Sequence, residues 1–275
     1  MARIPIEDNC NDVINKTQRG LKISDEDLAA RAGISAEDLA AIKGGAPLYG
    51  AIRRVARHLG LSPDALEVLA KKIWYPEQPS FPRGFAMYNT VFEDMTVNAY
   101  LAWDTRTKQA AAFDTGADCS AMLDTIKHEG LDLRYIFITH THDDHIADLK
   151  KVSEAAPKAE IWAGELEPVD FRGAKTFKEN AHFHVGELAI KTLFTWGHSP
   201  GMTTFFVTGL SWPLAIVGDS IFASSMGGSP THFAEQLRHN KEKILTLPKD
   251  TVIASGHGPL TTLAQEKMHN PFFAR

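Results

Sequence analysis

The sequence predicts an α/β (α+β) fold preceded by a small all-helical domain, and three observations carry this prediction. Residues 1–72 place apolar side chains at the three- and four-residue intervals of amphipathic helices. Residues 73–82 contain three prolines and predict an extended linker, because proline interrupts a regular helix. Residues 83–275 alternate short apolar runs typical of strands with helical stretches. The predicted domain boundary therefore lies at the linker.

The helices of the first domain are predicted from their apolar spacing and from their caps. Leu28, Ala32 and Leu39 recur as they would on one helical face. A serine before a helix can accept a hydrogen bond from a free backbone N–H of the first turn. The predicted caps of this kind are Ser24, Ser35 and Ser62.

Residues 25–39 resemble the helix-turn-helix of small repressor-like domains through their core Ala-x-x-Ala-Gly-Ile-Ser. A DNA-reading helix needs basic, amide or hydroxyl side chains, whereas the helix after Ser35 presents Glu37 and Asp38. The formal charge of −5 also argues against an extended nucleic-acid-binding surface. A basic stripe, Arg53, Arg54 and Arg57, is more typical of a solvated or salt-bridged face. The sequence therefore favours a substrate-rim or dimerisation module, with a homodimer as one outcome, over DNA binding.

The second domain is predicted as strands interrupted by helices. Residues 98–104 and 109–114 indicate a hairpin, followed by a helix at 120–128 and a strand that leads to residue 140. Further strands are predicted at 160–163, 188–194, 203–208, 214–217 and 251–254, and further helices at 145–155, 233–245 and 260–268.

The most informative segment is His-Thr-His-Asp-Asp-His at residues 140–145, directly after the apolar run 135–138. It places three imidazoles and two carboxylates on one strand-to-loop turn. Imidazole nitrogens and carboxylate oxygens are the ligands that zinc and similar divalent ions prefer. The segment therefore predicts a metal site.

Four further motifs each follow an apolar strand, and together with the first they resemble the metallo-β-lactamase superfamily over nearly all of residues 83–275. They are Phe-Asp-Thr-Gly at 113–116, Gly-His-Ser-Pro-Gly at 197–201, Gly-Asp-Ser at 218–220 and Gly-His-Gly-Pro at 256–259. The resemblance implies an αββα sandwich that carries one or two metal ions at the edge of its two sheets.

Matched residue by residue, the resemblance also implies a ligand set. The first metal would be held by His140, His142 and His198, the second by Asp144, His145 and His257, and Asp219 would bridge the two. The ions would be two divalent metals, with zinc expected and iron or manganese as alternatives.

Other polar residues are assigned by their positions near these motifs. Asp114 is predicted to accept a hydrogen bond from a ligand histidine, although an aspartate before glycine is also typical of a turn. His182 and His184 precede a predicted strand and are candidates for the substrate pocket. The histidines without motif support are predicted to lie on the surface; they are His58, His128, His232, His239 and His269.

The predicted chemistry is hydrolysis of a small-molecule substrate. Two divalent ions lower the pKa of a shared water and polarise a substrate carbonyl, so no serine or cysteine nucleophile is needed. Asp144 would orient the resulting hydroxide, with Asp219 as the bridging catalytic carboxylate.

Within the superfamily the sequence resembles the glyoxalase II group, which hydrolyses thioesters such as hydroxyacylglutathione. An aspartate at 219 argues against a β-lactamase, and residues 256–262 with Glu266 and Asn-Pro-Phe at 270–272 are typical of glyoxalase II-like enzymes. The sequence departs from that group at residues 197–202, which read Gly-His-Ser-Pro-Gly-Met, and residues up to 275 include no basic tail of the kind expected to bind glutathione.

Two alternatives remain open. A persulfide dioxygenase-like enzyme would use one iron held by the equivalents of His140, His198 and Asp219. A DNA-binding regulator, of another class altogether, would use the metal domain as its sensor.

Composition limits the location and the redox chemistry of the protein. No apolar run approaches the roughly 20 residues that span a bilayer, and the N-terminus lacks the layout of a secretory signal. A cytoplasmic protein without membrane contact is therefore expected. Cys10 and Cys119 are far apart and outside any zinc-binding spacing.

Overall fold

Two six-stranded sheets stacked face to face form the centre of the structure, a computed structural model that describes residues 3–274. The first sheet consists of β1 (Phe85–Phe92), β2 (Met95–Trp103), β3 (Gln109–Phe113), β4 (Asp132–Phe137), β5 (Glu160–Gly164) and β6 (Lys175–Phe177), in that order. The second sheet consists of β7 (His182–Val185), β8 (Leu188–Phe194), β9 (Thr203–Thr208), β10 (Leu214–Gly218), β11 (Val252–Ser255) and β12 (Thr261–Thr262). Its spatial order is β12-β11-β10-β9-β8-β7.

Helices precede the sandwich and cover its outer faces. The N-terminal helices are α1 (Cys10–Leu21), α2 (Asp25–Ala32), α3 (Ala36–Lys43), α4 (Tyr49–His58) and α5 (Pro63–Ala70). The later ones are α6 (Ser120–Glu129), α7 (Asp143–Ile146), α8 (Leu149–Ala155), α9 (Phe233–His239), which a π-helical turn Asn240–Ile244 continues, and α10 (Leu263–His269). No helix in residues 3–274 combines the length and the apolar character needed to cross a membrane.

Strand direction brings five strand ends to the edges where the motifs lie. In the first sheet β3 and β4 are parallel neighbours, so their carboxyl ends lie together. In the second sheet β8, β10 and β11 all run in one direction, because β9 is antiparallel to β8 and to β10 while β10 and β11 are parallel. Each sequence motif follows one of these five strands, which is why a sandwich can gather them at one edge.

Three cores hold the layers together. Between the sheets, Phe113, Phe137 and Phe205 stack within 5.5 Å of one another, measured between ring centroids. A second core lies between the first sheet and α6 and α8. In the third, Val13 and Ile14 of α1 share one apolar cluster with Val217 of β10. Burying an aliphatic side chain contributes roughly 1.5–3 kcal/mol, so the N-terminal helices and the second sheet stabilise each other.

The predicted caps of the N-terminal helices are confirmed. The hydroxyls of Ser24, Ser35 and Ser62 accept hydrogen bonds from the third backbone N–H of α2, α3 and α5. Two arginines of the basic stripe on α4 are engaged within the chain: Arg53 pairs with Glu67 and Asp64, and Arg54 donates to the Gly33 carbonyl. The likeness of α2 and α3 to a DNA-binding helix-turn-helix stays a prediction.

Several elements differ from the sequence prediction. The helix predicted at 145–155 is two helices, α7 and α8, because the chain turns between them at Asp148. The helix predicted at 260–268 begins only at Leu263, since the Thr262 hydroxyl caps it by accepting from the Gln265 N–H. Strand β1 was not predicted. Residues 73–82 form neither helix nor strand, and Gln78 Nε2 of this segment donates to the Leu260 carbonyl at 2.8 Å.

Candidate metal centre

The centre lies where β4 ends and the chain leads into α7. Ile136 and Phe137 at the end of the strand are buried, and His140 follows with no exposed surface. His142 stands at the N-cap of α7, and its carbonyl accepts the His145 N–H at 3.0 Å. This single helical turn brings Asp144 and His145 back towards His140.

Three histidines form the first ligand group. His140 Nε2 and His142 Nδ1 are 3.1 Å apart, and His198 Nε2 is also 3.1 Å from His142 Nδ1. His142 is exposed, whereas His140 is buried. Nitrogen lone pairs that converge at this distance repel unless a proton or a cation lies between them, so the group is suited to a metal ion.

Asp144, His145 and His257 form the second ligand group. The Asp144 Oδ2 atom lies 3.2 Å from His257 Nε2 and 3.5 Å from His145 Nε2. All three residues are buried.

Asp219 lies between the two groups. Its Oδ2 atom is 3.4 Å from His198 Nε2 in the first group, and its Oδ1 atom is 3.4 Å from His145 Nε2 in the second. Both Asp219 Oδ1 and His145 Nε2 are buried without a hydrogen-bond partner. Buried polar atoms are rarely left without a partner, so these atoms indicate room for a ligand. The seven predicted residues are brought together, and their oxygen and nitrogen donors fit a pair of divalent ions.

The outer ring nitrogens of the histidines are held by the surrounding chain. His145 Nδ1 donates to Asp114 Oδ2 at 2.8 Å, His257 Nδ1 to the Thr96 carbonyl at 2.7 Å and His198 Nδ1 to the Gly228 carbonyl at 2.8 Å. Each bond fixes the tautomer that leaves Nε2 free to face the centre. Asp114 thus lies where the sequence placed it, and it also accepts from the backbone N–H and the hydroxyl of Thr139.

Burial and mutual charge shift the pKa values of the centre in opposite directions. Burial and the neighbouring imidazoles hold the pKa of His140 well below its ordinary value. Burial also acts to lower the pKa of His257, but the carboxylates of Asp219 and Asp144 raise it to about 11. For His145 the same opposition, with Asp114 and Asp219 as the carboxylates, raises the pKa to about 10. These raised pKa values predict that His145 and His257 are protonated at neutral pH in the metal-free protein.

Two glycines leave space for the ligands. A Cβ atom at Gly256 would lie 2.2 Å from Asp219 Oδ1, and one at Gly227 would lie 2.9 Å from His198 Nδ1. No side chain can be placed that close. Gly256 belongs to a predicted motif, whereas Gly227 does not.

Two features of the centre were missed by sequence reasoning. Glu167, in the loop after β5, is only 5% exposed and contacts the loops of the first group. Its neighbours form no motif and no periodic pattern, so no local signal could have identified it.

The second missed feature is the segment 5–8 before α1. A Cβ atom at Gly258, next to His257, would lie 3.3 Å from the backbone nitrogen of Glu7, and the Ser225 hydroxyl donates to Asp8. Burial raises the pKa of the half-buried Glu7 carboxyl, and nearby His257 acts to lower it. The N-terminal segment is therefore one wall of the centre.

The other histidines lie elsewhere. His182 and His184 are exposed on the edge strand β7, since alternate side chains of a strand face opposite sides and Phe183 takes the inner side. They are not brought to the ligand groups. The surface prediction for His239 is wrong: it is 4% exposed, because its Nδ1 donates to the Trp196 carbonyl beneath α9.

Comparison with known proteins agrees with this geometry. Residues 93–257, which contain all seven candidate ligands, match the family described as the metallo-beta-lactamase superfamily. A probable metallo-hydrolase, YqgX of Bacillus subtilis (strain 168), is 31% identical over 185 residues that cover 60% of this chain and 87% of the relative. A hydroxyacylglutathione hydrolase of Pseudomonas entomophila (strain L48) is 28% identical over 158 residues. That match covers 58% of this chain and only 60% of the relative.

A solved structure shows the same fold. The metallo-beta-lactamase of Staphylococcus aureus subsp. aureus COL superimposes with a TM-score of 0.61 at 23% identity, covering 70% of this chain and 65% of the other. The predicted sandwich, preceded by N-terminal helices, is confirmed. The helices α1 to α5 lie outside the matched residues.

Proposed function

Because this chain belongs to the metallo-β-lactamase superfamily, we propose that it is a metal-dependent hydrolase that cleaves a thioester or related ester, as glyoxalase II does. One observation carries the proposal: seven donors from four strand ends converge, with Asp219 between two ligand groups. The hydroxyacylglutathione hydrolase similar to this chain supports the thioester part.

Each residue has a role that its position supports. Two divalent ions, when bound, would activate a water molecule and polarise the scissile carbonyl. Asp219 spans the two groups and keeps their spacing fixed. Asp144 holds its Oδ2 atom at the centre, 3.2 Å from His257, where it can accept a proton from the attacking water. His142 is exposed, so the substrate would approach from its side of the centre. The products would be a carboxylic acid and a thiol.

A complete second group favours two ions over one. A single iron at His140, His198 and Asp219, as in the dioxygenase alternative, would leave the buried Asp144, His145 and His257 without a metal, so the metal content of the protein separates the two candidates. The regulator alternative has less support still, because Arg53 and Arg54 are engaged within the chain. We propose instead that the N-terminal helices belong to the catalytic unit, since segment 5–8 lies against the loop of His257.

A substrate panel with matched variants tests the proposal. Purified protein would be assayed for metal content and for thiol release from hydroxyacylglutathione and from a short acyl-coenzyme A. A cephalosporin would serve as the β-lactam control, and oxygen uptake with glutathione persulfide would test the dioxygenase. We expect about two metal ions per chain and thiol release. One iron with oxygen uptake, or β-lactam cleavage alone, would refute the thioesterase.

Two adjacent aspartates give the matched pair of variants. Asp144 is buried in the centre, whereas Asp143 is exposed on the same turn of α7. Asp144→Asn should lower kcat by at least about 100-fold, in the range known for a general base, while Asp143→Asn should leave it unchanged. Equal activities of the two variants would remove Asp144 from the mechanism.

A further inference from the structure

Glu167 is a buried carboxylate outside the ligand set. It lies in the loop that follows β5, and 5% of its surface is exposed. Burying a carboxylate is costly unless its oxygens accept hydrogen bonds, so the partners of Glu167 indicate what the charge is for.

Both carboxylate oxygens of Glu167 are used, each by a different loop. Oε1 accepts from the backbone N–H and the hydroxyl of Thr141, at 2.8 and 2.9 Å. Oε2 accepts from the Gly201 N–H at 2.7 Å and from the Ser199 hydroxyl at 2.9 Å. These are four charge-assisted hydrogen bonds from uncharged donors.

The two loops carry the first ligand group. Thr141 stands between His140 and His142, and Ser199 follows His198. One loop leaves the first sheet after β4 and the other leaves the second sheet after β8, so Glu167 joins the sheets at the edge where the histidines meet.

The loops also touch directly, which leaves little freedom for this join. A Cβ atom on Gly201 would lie 2.3 Å from the Glu167 backbone nitrogen, so only glycine fits there.

We propose that Glu167 is a positioning residue for the metal held by His140, His142 and His198. It fixes the separation of the two loops through its hydrogen bonds to Thr141 and Gly201, and so the separation of the histidines that they carry. The inference rests on the proposed metal-dependent function. The second group has other supports, Asp114 and the Thr96 carbonyl, so Glu167 should affect one metal and not the other.

Glu167→Gln tests the proposal with a side chain of the same shape. The amide oxygen can accept from one loop, but the amide NH2 group must then face a backbone N–H of Thr141 or Gly201 on the other. Glu165→Gln is the control, because Glu165 is exposed in the same loop. Cobalt(II) titrations with optical spectra and chelator competition would give the affinity of each equivalent bound.

We expect Glu167→Gln to weaken one of two cobalt equivalents by about 10–100-fold and to change its spectrum, while the other equivalent and the control stay as in the wild type. His257→Ala, which removes a ligand of the second group alone, should weaken the other equivalent and so assign the two. Ser199→Ala removes one hydrogen bond from Oε2 and should weaken the Glu167-dependent equivalent less. If circular dichroism shows that Glu167→Gln does not fold, Ser199→Ala becomes the test of the proposal.

Unchanged cobalt affinities in Glu167→Gln would refute the proposal. If Glu167→Gln does not fold, unchanged affinities in Ser199→Ala would refute it instead. Equal weakening of both equivalents would refute it as well, since it would indicate general loosening. If the wild type binds no cobalt, the proposed function itself fails, and this result is distinct from a wild type with two sites that Glu167 does not affect.

Discussion

Replacing Glu266 by glutamine should make the protein more stable above neutral pH. Glu266 has no exposed surface, and burial raises the pKa of its carboxyl to about 7 against three hydrogen bonds that act to lower it. Those bonds come from the Thr261 hydroxyl at 2.7 Å, the Asn270 amide at 2.8 Å and the Ser224 N–H at 3.0 Å. Glutamine can satisfy the same partners: its oxygen accepts from Asn270 and Ser224, and its NH2 group donates to the Thr261 oxygen.

The magnitude follows from the difference between the pKa of the folded state and that of the unfolded chain. A carboxyl whose pKa is raised on folding binds its proton more tightly in the folded state. Its contribution to the free energy of unfolding is therefore fully present below pH 4.5 and is lost as the pH rises through 7. A rise from 4.5 to about 7 corresponds to about 3 kcal/mol at about 1.4 kcal/mol for each tenfold change in acidity. Above pH 7 the wild type loses this free energy of unfolding, whereas Glu266→Gln does not.

Urea denaturation of the metal-free proteins from pH 4.5 to 8.5 measures the effect. The free energy of unfolding of Glu266→Gln should exceed that of the wild type by up to about 3 kcal/mol at pH 8.5, and the gap should close towards pH 4.5. The exposed Glu165→Gln should show no such trend. A gap that does not vary with pH would show that the three hydrogen bonds balance the effect of burial and that Glu266 ionises at an ordinary pKa.

Three other predictions concern the metal centre. Asp219→Ala should abolish thiol release and reduce bound metal from about two ions per chain towards none, with an unchanged circular dichroism spectrum; retained metal would exclude bridging. Loading the metal-free protein with zinc at pH 8 should release about two protons, because the pKa values of His145 and His257 are raised to about 10 and 11. Calorimetry in buffers of different ionisation enthalpy counts them, and zero release would contradict those values. Glu7→Gln should lower KM for an anionic thioester several-fold at low salt and leave kcat unchanged. The reason is that the substitution removes a half-buried carboxylate near His257 that would repel the substrate. An unchanged KM would show that Glu7 does not face the substrate.

The parts of the site that were predictable are those written in short stretches of sequence. Residues 140–145 are consecutive, so their capacity to bind a metal can be recognised before any fold is known. Gly256 and Asp219 lie in motifs directly after apolar strands, and strand ends gather at sheet edges.

The parts that escaped prediction depend on contacts between distant segments. Glu167 meets Thr141 and Gly201 only once three strands are in place, and no periodicity marks such a residue. Strand β7 was missed for a different reason: it is a short edge strand whose polar side faces outwards, which leaves only Phe183 and Val185 as apolar signals.

The wall that segment 5–8 forms against Gly258 has a consequence for biosynthesis. A ribosome adds Gly258 roughly 250 residues after Glu7, so this contact cannot form until that length of chain has been made. Until then Asp8 can pair with Lys16 of α1, but Glu7 lacks its contact with the loop of His257. Cation capture in the native geometry therefore requires both segments, and a shorter nascent chain cannot offer the complete centre.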